Sequence, residues 1–214
     1  MTADAGDAGA VILGLRQFRK PREAPRPGEV CEMCGEMLDD RHGHVVNIEA
    51  RNMLCCCRGC YLLFTNSAAA QGKYRSVPDR YLIDPSFTIT DAQWDQLQIP
   101  VSVAFFFHNS SMDSTVAFYP SPAGATESLL PLESWNSVLA ASPLPAELEP
   151  DVEALLIRRN EGRYECYLSP IDACYELVGL VRLHWKGFSG GDEAWAAIDG
   201  FFEQLRSRSR RLEV

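Results

Sequence analysis

No apolar run in this 214-residue chain is long; the longest approach to one, Val101 to Phe107, has the length of a strand. A helix that crosses a bilayer needs about 20 apolar residues in succession, so no membrane span is expected. Positive charge is scarce as well: 20 Lys and Arg stand against 29 Asp and Glu, a formal net charge of −9. Nucleic-acid affinity rests on many phosphate-facing cations, and this balance argues against it. Met1 to Ala10 is small and acidic, and Val11 to Leu15 is too short for a secretory core, so a cytoplasmic protein is expected. There is no phosphate-binding glycine loop, dinucleotide fingerprint, nucleophile elbow or internal repeat.

Cysteine is what the chain does have. Six of its eight cysteines (Cys31, Cys34, Cys55, Cys56, Cys57 and Cys60) crowd one stretch, and only Cys166 and Cys174 lie elsewhere. In a reducing compartment such a cluster points to a metal site before a disulfide frame. Cys31-x-x-Cys34 and Cys57-x-x-Cys60 provide four thiolates that can close a tetrahedron, the geometry of Zn²⁺ and of single-iron sites. Gly35, next to Cys34, allows the tight knuckle turn. His42, His44 and Cys55 are additional candidates. A loop His pair is more often a solvated turn, but either His can replace a cysteine, and Cys55 falls on the same side of an extended chain as Cys57. Cys56 then points away. A two-metal or iron–sulfur cluster also fits the ligand count.

Four regions are predicted. Residues 1–30 read as a disordered arm in which Arg16, Arg19, Lys20, Arg22 and Arg26 interleave with prolines. Residues 31–77 read as a cysteine-rich module: a knuckle, a hairpin through His44 to Glu49 and Met53 to Cys56, and a helix whose first turn carries the second pair. That is a small treble-clef or zinc-ribbon-like unit, its helix continuing through Ser67 to Ala70. Residues 78–206 read as a mixed α+β body, and 207–214 as a basic tail.

In the body, Thr90-Asp91-Ala92-Gln93 is a capping box. Val101 to Phe107 and Thr115 to Tyr119 read as paired strands, Pro120 to Ser128 as a loop, and Leu132, Trp135, Val138 and Leu139 as one helix face. Val152 to Arg158 and Arg163 to Leu168 read as a hairpin. Ser169-Pro170-Ile171-Asp172 reads as a second capping box, with Ile171, Cys174, Tyr175 and Val178 on one face behind it. The last helix shows Trp195, Ile198, Phe202 and Leu205 as a stripe. Without strict βαβ alternation the class is α+β. Cys166, Cys174, Asp172 and His184 contain the ingredients of a nucleophile and base, yet both cysteines fall on apolar faces and read as core. His108 reads as a turn residue, and Thr126-Glu127-Ser128 as part of a connection.

The blocks CxxCG, LCCCRGCYLLF, GKYRSVPDR, VAFYPSPAGATESLL and YLSPIDACYELVGLVRLHWKGF resemble a family of about 200 residues. That family is encoded within gene clusters of actinobacterial-type, oxygen-tolerant nickel-iron hydrogenases, and the likeness runs from Cys31 to about Arg206. It implies a cytoplasmic accessory or maturation role, or a small electron carrier serving the hydrogenase; with the four-cysteine site, the expected protein is a zinc-containing accessory or maturation protein that binds a hydrogenase subunit or maturation protein. The family's second cluster, Cys-x-Cys-x-x-Cys, maps onto Cys55, Cys57 and Cys60. A rubredoxin-like single-iron electron carrier is the alternative; Tyr61 stands where that pattern has glycine, which favours zinc. A zinc-ribbon regulator of nucleic acid is the third reading. No catalytic set is identified.

Overall fold

The computed structural model of the chain describes residues 30–66, 68–128, 133–187 and 189–212. The basic-and-proline arm read over 1–30 therefore lies outside the described residues, apart from Val30. A three-stranded sheet, in the order β2-β1-β3, carries the cysteine region: β1 Gly43–Asn47, β2 Asn52–Cys56 and β3 Tyr74–Ser76. Helix α1, Arg58–Leu63, follows β2 directly. It does not continue through Ala70 as expected. Thr65 Oγ donates to the Leu62 carbonyl (3.0 Å) and the Asn66 side chain accepts from Ala68 N–H (2.9 Å), so local side-chain bonds displace the helical ladder.

The body is built on a seven-stranded sheet of order β10-β4-β9-β8-β5-β6-β7. Its strands are β4 Leu82–Asp84, β5 Val103–Asn109, β6 Ser114–Ser121, β7 Gly124–Glu127, β8 Glu153–Asn160, β9 Arg163–Pro170 and β10 Arg210–Arg211. Neighbours pair antiparallel except β10 and β4. The α+β class read from the sequence is thus present as a mixed body with sheets. Period-2 alternation sends successive side chains to opposite faces, and both faces are covered. Ala104, Phe106, Leu155, Ile157, Cys166 and Leu168 face one core with Trp94 of α2 (Asp91–Gln96), Trp135 and Val138 of α3 (Glu133–Leu139), and Leu144 of α4 (Leu144–Glu147). Val103, Phe105, Ala154, Leu156 and Tyr167 face the other core, against α5 (Ile171–His184) and α6 (Asp192–Arg208).

The Thr90–Gln93 capping box forms in full. Several boundaries differ from expectation. Pro120 to Ser128 is the end of β6, a tight turn and β7; Ser121 Oγ donates to the Gly124 carbonyl and closes that hairpin (3.0 Å). The second capping box does not form, because β9 runs on to Pro170 and Ser169 Oγ lies 3.6 Å from Cys174 Sγ within the core. On α5 the buried face is Ile171, Cys174, Leu177, Val178 and Val181, while Tyr175 is partly exposed. On α6 the buried stripe is Ala194, Ile198, Phe201, Phe202 and Leu205; Trp195, expected in it, instead donates its indole N–H to the Ser189 carbonyl outside the core (2.9 Å). The expected basic tail is in part structure, since Ser207 and Arg208 end α6 and Arg210–Arg211 form β10. Leu132 lies outside the described residues.

A buried carboxylate ties β4 to the connection between α3 and α4. Asp84 accepts from Ser86 N–H (2.9 Å), Ser86 Oγ (2.6 Å) and Ser142 Oγ (2.7 Å). Burial alone raises its pKa, but these donors outweigh burial and hold it below the ordinary 3.8. The ionised form therefore stabilises the fold above that value, and the contribution disappears as pH falls through the lowered one. Asp84→Asn strands a serine donor and should cost about 1–3 kcal/mol at neutral pH, a gap that closes in strong acid. Urea melts of both proteins across pH measure it.

Candidate metal centre

Two backbone bonds close the knuckle under the first cysteine pair: Gly35 N–H to the Cys31 carbonyl (2.8 Å) and Cys31 N–H to the Glu36 carbonyl (2.7 Å). Gly35 takes φ of 79°, the left-handed region in which a side chain is strained. Cys57 caps α1 with extended backbone, and Tyr61 N–H returns to its carbonyl (2.9 Å). Cys60 sits one turn further along the helix. The sulfurs of Cys31, Cys34, Cys57 and Cys60 all lie within 4.8 Å of one another, and those of Cys34 and Cys57 are 3.7 Å apart. Around a tetrahedral ion with metal–sulfur bonds of about 2.3 Å, sulfurs stand about 3.8 Å apart. A disulfide would need about 2.05 Å. Four cysteines spaced in this way can hold a metal ion.

Their charges point the same way. Burial pushes the Cys31 thiol up, but backbone N–H groups of Cys57, Cys34 and Met33 aim at its sulfur and bring it down to about 6. Burial and the neighbouring sulfurs push Cys60 up. Cys31 thus favours its thiolate, whereas Cys60 resists ionising until a cation supplies opposite charge. Cys56 stays outside the cluster: it is fully buried, its thiol donates to the Gly43 carbonyl (3.3 Å), and burial and the surrounding sulfurs push it up to about 12.

His42, His44 and Cys55 gather as a second group, with ligand atoms within 4.8 Å of one another. They do not enter the four-cysteine cluster. His44 also reaches into the body, its Nδ1 2.8 Å from Asp172 Oδ2 at the start of α5. Both histidines line a cleft of about 1150 Å³ between the cysteine region and the body, together with Tyr61, Tyr81, Asp172 and Arg208. Sequence reasoning had no access to this cleft, because its walls come from segments as distant as Glu36 and Arg208.

Tyr61 holds the wall together. Its hydroxyl donates to the Val77 carbonyl (3.0 Å), and its ring packs so close to Gly43 that an added β-carbon would stand 2.6 Å from Cδ2. Gly43→Ala should therefore displace the ring and cost about 1–3 kcal/mol, read by denaturant unfolding.

The other candidates do not assemble. Cys166 belongs to one face's core and Cys174 to the other's; burial raises both thiols, Cys174 to about 12. Asp172 is engaged with His44 instead. His108 lies at the end of β5, 3.6 Å from Asp113, and Thr126 bonds Ser121 within the β6–β7 hairpin (2.9 Å). Among the described residues, no helix is long and apolar enough to cross a membrane.

Fold and cluster together define an α+β protein carrying a four-cysteine centre near its N-terminus. The chain belongs to DUF5947, a family of unknown function, whose model matches residues 30–209. No curated protein and no solved structure matches the chain.

Proposed function

We propose that the chain is a zinc-binding accessory or maturation protein of a nickel-iron hydrogenase system, cytoplasmic, acting by binding another protein of that system. The observation that carries this reading is the closure of the cluster: four protein sulfurs surround one point within 4.8 Å of each other. A tetrahedral ion held so has no position left for water or substrate, and serves structure or electron transfer. The resemblance of its sequence blocks to the hydrogenase-linked family supplies the system. The order knuckle, hairpin, helix supports a treble-clef module. Zinc is favoured over rubredoxin-like iron because Tyr61, where that pattern carries glycine, bolts the helix to Gly43 and Val77.

Aromatics govern interface energetics, and Phe118 and Tyr119 stand just before the β6–β7 turn. Phe118, however, stacks on Phe105 and Phe107 (5.7 Å each), which commits it to the sheet face. Met37, Leu62 and Leu63, all exposed in the cysteine module, are the better anchors. Deleting the gene should lower hydrogenase activity or assembly, and a tagged copy should retain a hydrogenase subunit or maturation protein. Normal activity with nothing retained refutes the reading. The oxidised protein should be colourless; a thiolate-to-ferric absorption band would assign iron and an electron carrier.

A further inference from the structure

His42 Nε2 is buried and has no hydrogen-bond partner, a rare condition for a buried nitrogen. Its other ring nitrogen, Nδ1, lies 2.9 Å from the Asp39 carbonyl, which can only accept, so Nδ1 carries the proton. In the neutral ring Nε2 then presents a bare lone pair. His44 is arranged in the same sense, with Nδ1 donating to the Asp172 carboxylate at 2.8 Å and Nε2 left for another contact. The rings meet edge to face with centroids 5.0 Å apart.

The hairpin explains why Cys55 joins them. In the β1–β2 register His44 stands directly opposite Cys55, and His42 lies just ahead of β1, two residues before His44. The backbone of Cys55 is clamped to the knuckle, its N–H donating to Glu32 Oε2 (2.6 Å) and its carbonyl accepting from Glu32 N–H (2.9 Å). The tripod is thus held by strand pairing, a turn and a helix start from the body.

We propose that His42, His44 and Cys55 form a second metal site, separate from the four-cysteine cluster, for a borderline divalent ion such as Zn²⁺. Two imidazoles and one thiolate are a three-ligand set that leaves the fourth tetrahedral position to water or a substrate atom. A carboxylate behind a ligating imidazole, as Asp172 is behind His44, fixes the tautomer and strengthens the ligand. Asp172 is a positioning residue and does not touch the ion. The charges suit as well: a divalent ion on one thiolate leaves a positive centre beside a four-thiolate site that stays doubly negative when filled. Both histidines line the cleft, and the site would staple the cysteine region to α5. This inference goes beyond the proposed hydrogenase role and does not depend on it.

Zinc content of the full chain, measured after dialysis, tests it. Wild type should hold two ions; His42→Ala and Cys55→Ala should each hold one, with unchanged circular dichroism. Asp172→Asn should keep the second ion but bind it about 10–100-fold more weakly in chelator competition. A measurement on wild type needs no variant: nitrogen-15 spectra of the histidines during zinc titration should show Nε2 of His42 and His44 shifting with the second equivalent. One ion per chain, two ions undiminished in both variants, or unmoved Nε2 signals overturn the proposal. Loss of hydrogenase partnership leaves these counts unchanged, so the two readings fail separately.

Discussion

Replacing Arg80 by Met should cost about 3–5 kcal/mol of stability at neutral pH and lower the melting temperature by roughly 10 °C. Glu153, at the start of β8, is completely buried. Arg80 grips its carboxylate from the connection between β3 and β4, with Nε at 2.8 Å from Oε1 and Nη2 at 2.6 Å from Oε2. The same Nη2 donates to the Glu147 carbonyl (2.6 Å), and Glu149 N–H completes the carboxylate's partners (2.9 Å). A buried pair of this kind earns little net stability over an apolar pair, but removing one member leaves a charge with no solvent. Methionine keeps most of the side chain's volume, so the loss isolates the charge. Adding Glu153→Leu to Arg80→Met should restore much of the loss, measured in a double-mutant cycle by denaturant unfolding; additive losses would show that Arg80 acts through packing alone.

Removing the metal, by a strong chelator or by Cys31→Ser, should open residues 31–70 to protease while 78–206 resists. The apolar cluster around the cysteines is small: Cys31, Val45, Cys56 and Cys57 are its buried members, with Met33, Leu38, Tyr61, Phe64 and Tyr74 at its edge. That cannot hold a fold unaided, whereas binding zinc to such units supplies an apparent 10–16 kcal/mol, about the scale of folding itself. Acid should release the ion in the same way, since each sulfur must lose its proton to bind. The body keeps two large cores of its own. It should nevertheless melt at a lower temperature than before. Val46 of β1 packs with Val77, Val152 and Ile171, and Arg75 donates to the Pro150 carbonyl (2.9 Å). Chelation that unfolds the whole chain in one step would mean that this junction, and not the metal, governs the cysteine region.

Much of this was legible along the chain, and particular residues show why. Thr90 and Gln93 lie three apart and cap a helix wherever they meet one. Two Cys-x-x-Cys pairs with a hairpin between them announce a metal centre, since knuckle and strand pairing are local. The unbroken apolar run from Ala154 to Ile157 fits a strand buried on both sides. Periodicity failed at the edge of a stripe: on α6 Trp195 borders the apolar face, but the face that packs on the sheet runs through Ala194 and Phe201 and leaves Trp195 partly exposed. Pro120 and Gly124 look like a loop by composition, but β6 and β7 pair across them, with Ser121 Oγ closing the turn.

By itself, then, the sequence determined the α+β class, the cysteine cluster and most of the strands and helices, because those depend on spacings of a few residues. Tertiary structure alone decided the strand order of the large sheet, the burial of Glu153 against Arg80 and the meeting of His44 with Asp172. The last two partnerships join residues 73 and 128 positions apart. Nothing in local propensity encodes such pairs; they exist because the packing of two cores and a small junction brings distant segments within hydrogen-bond reach.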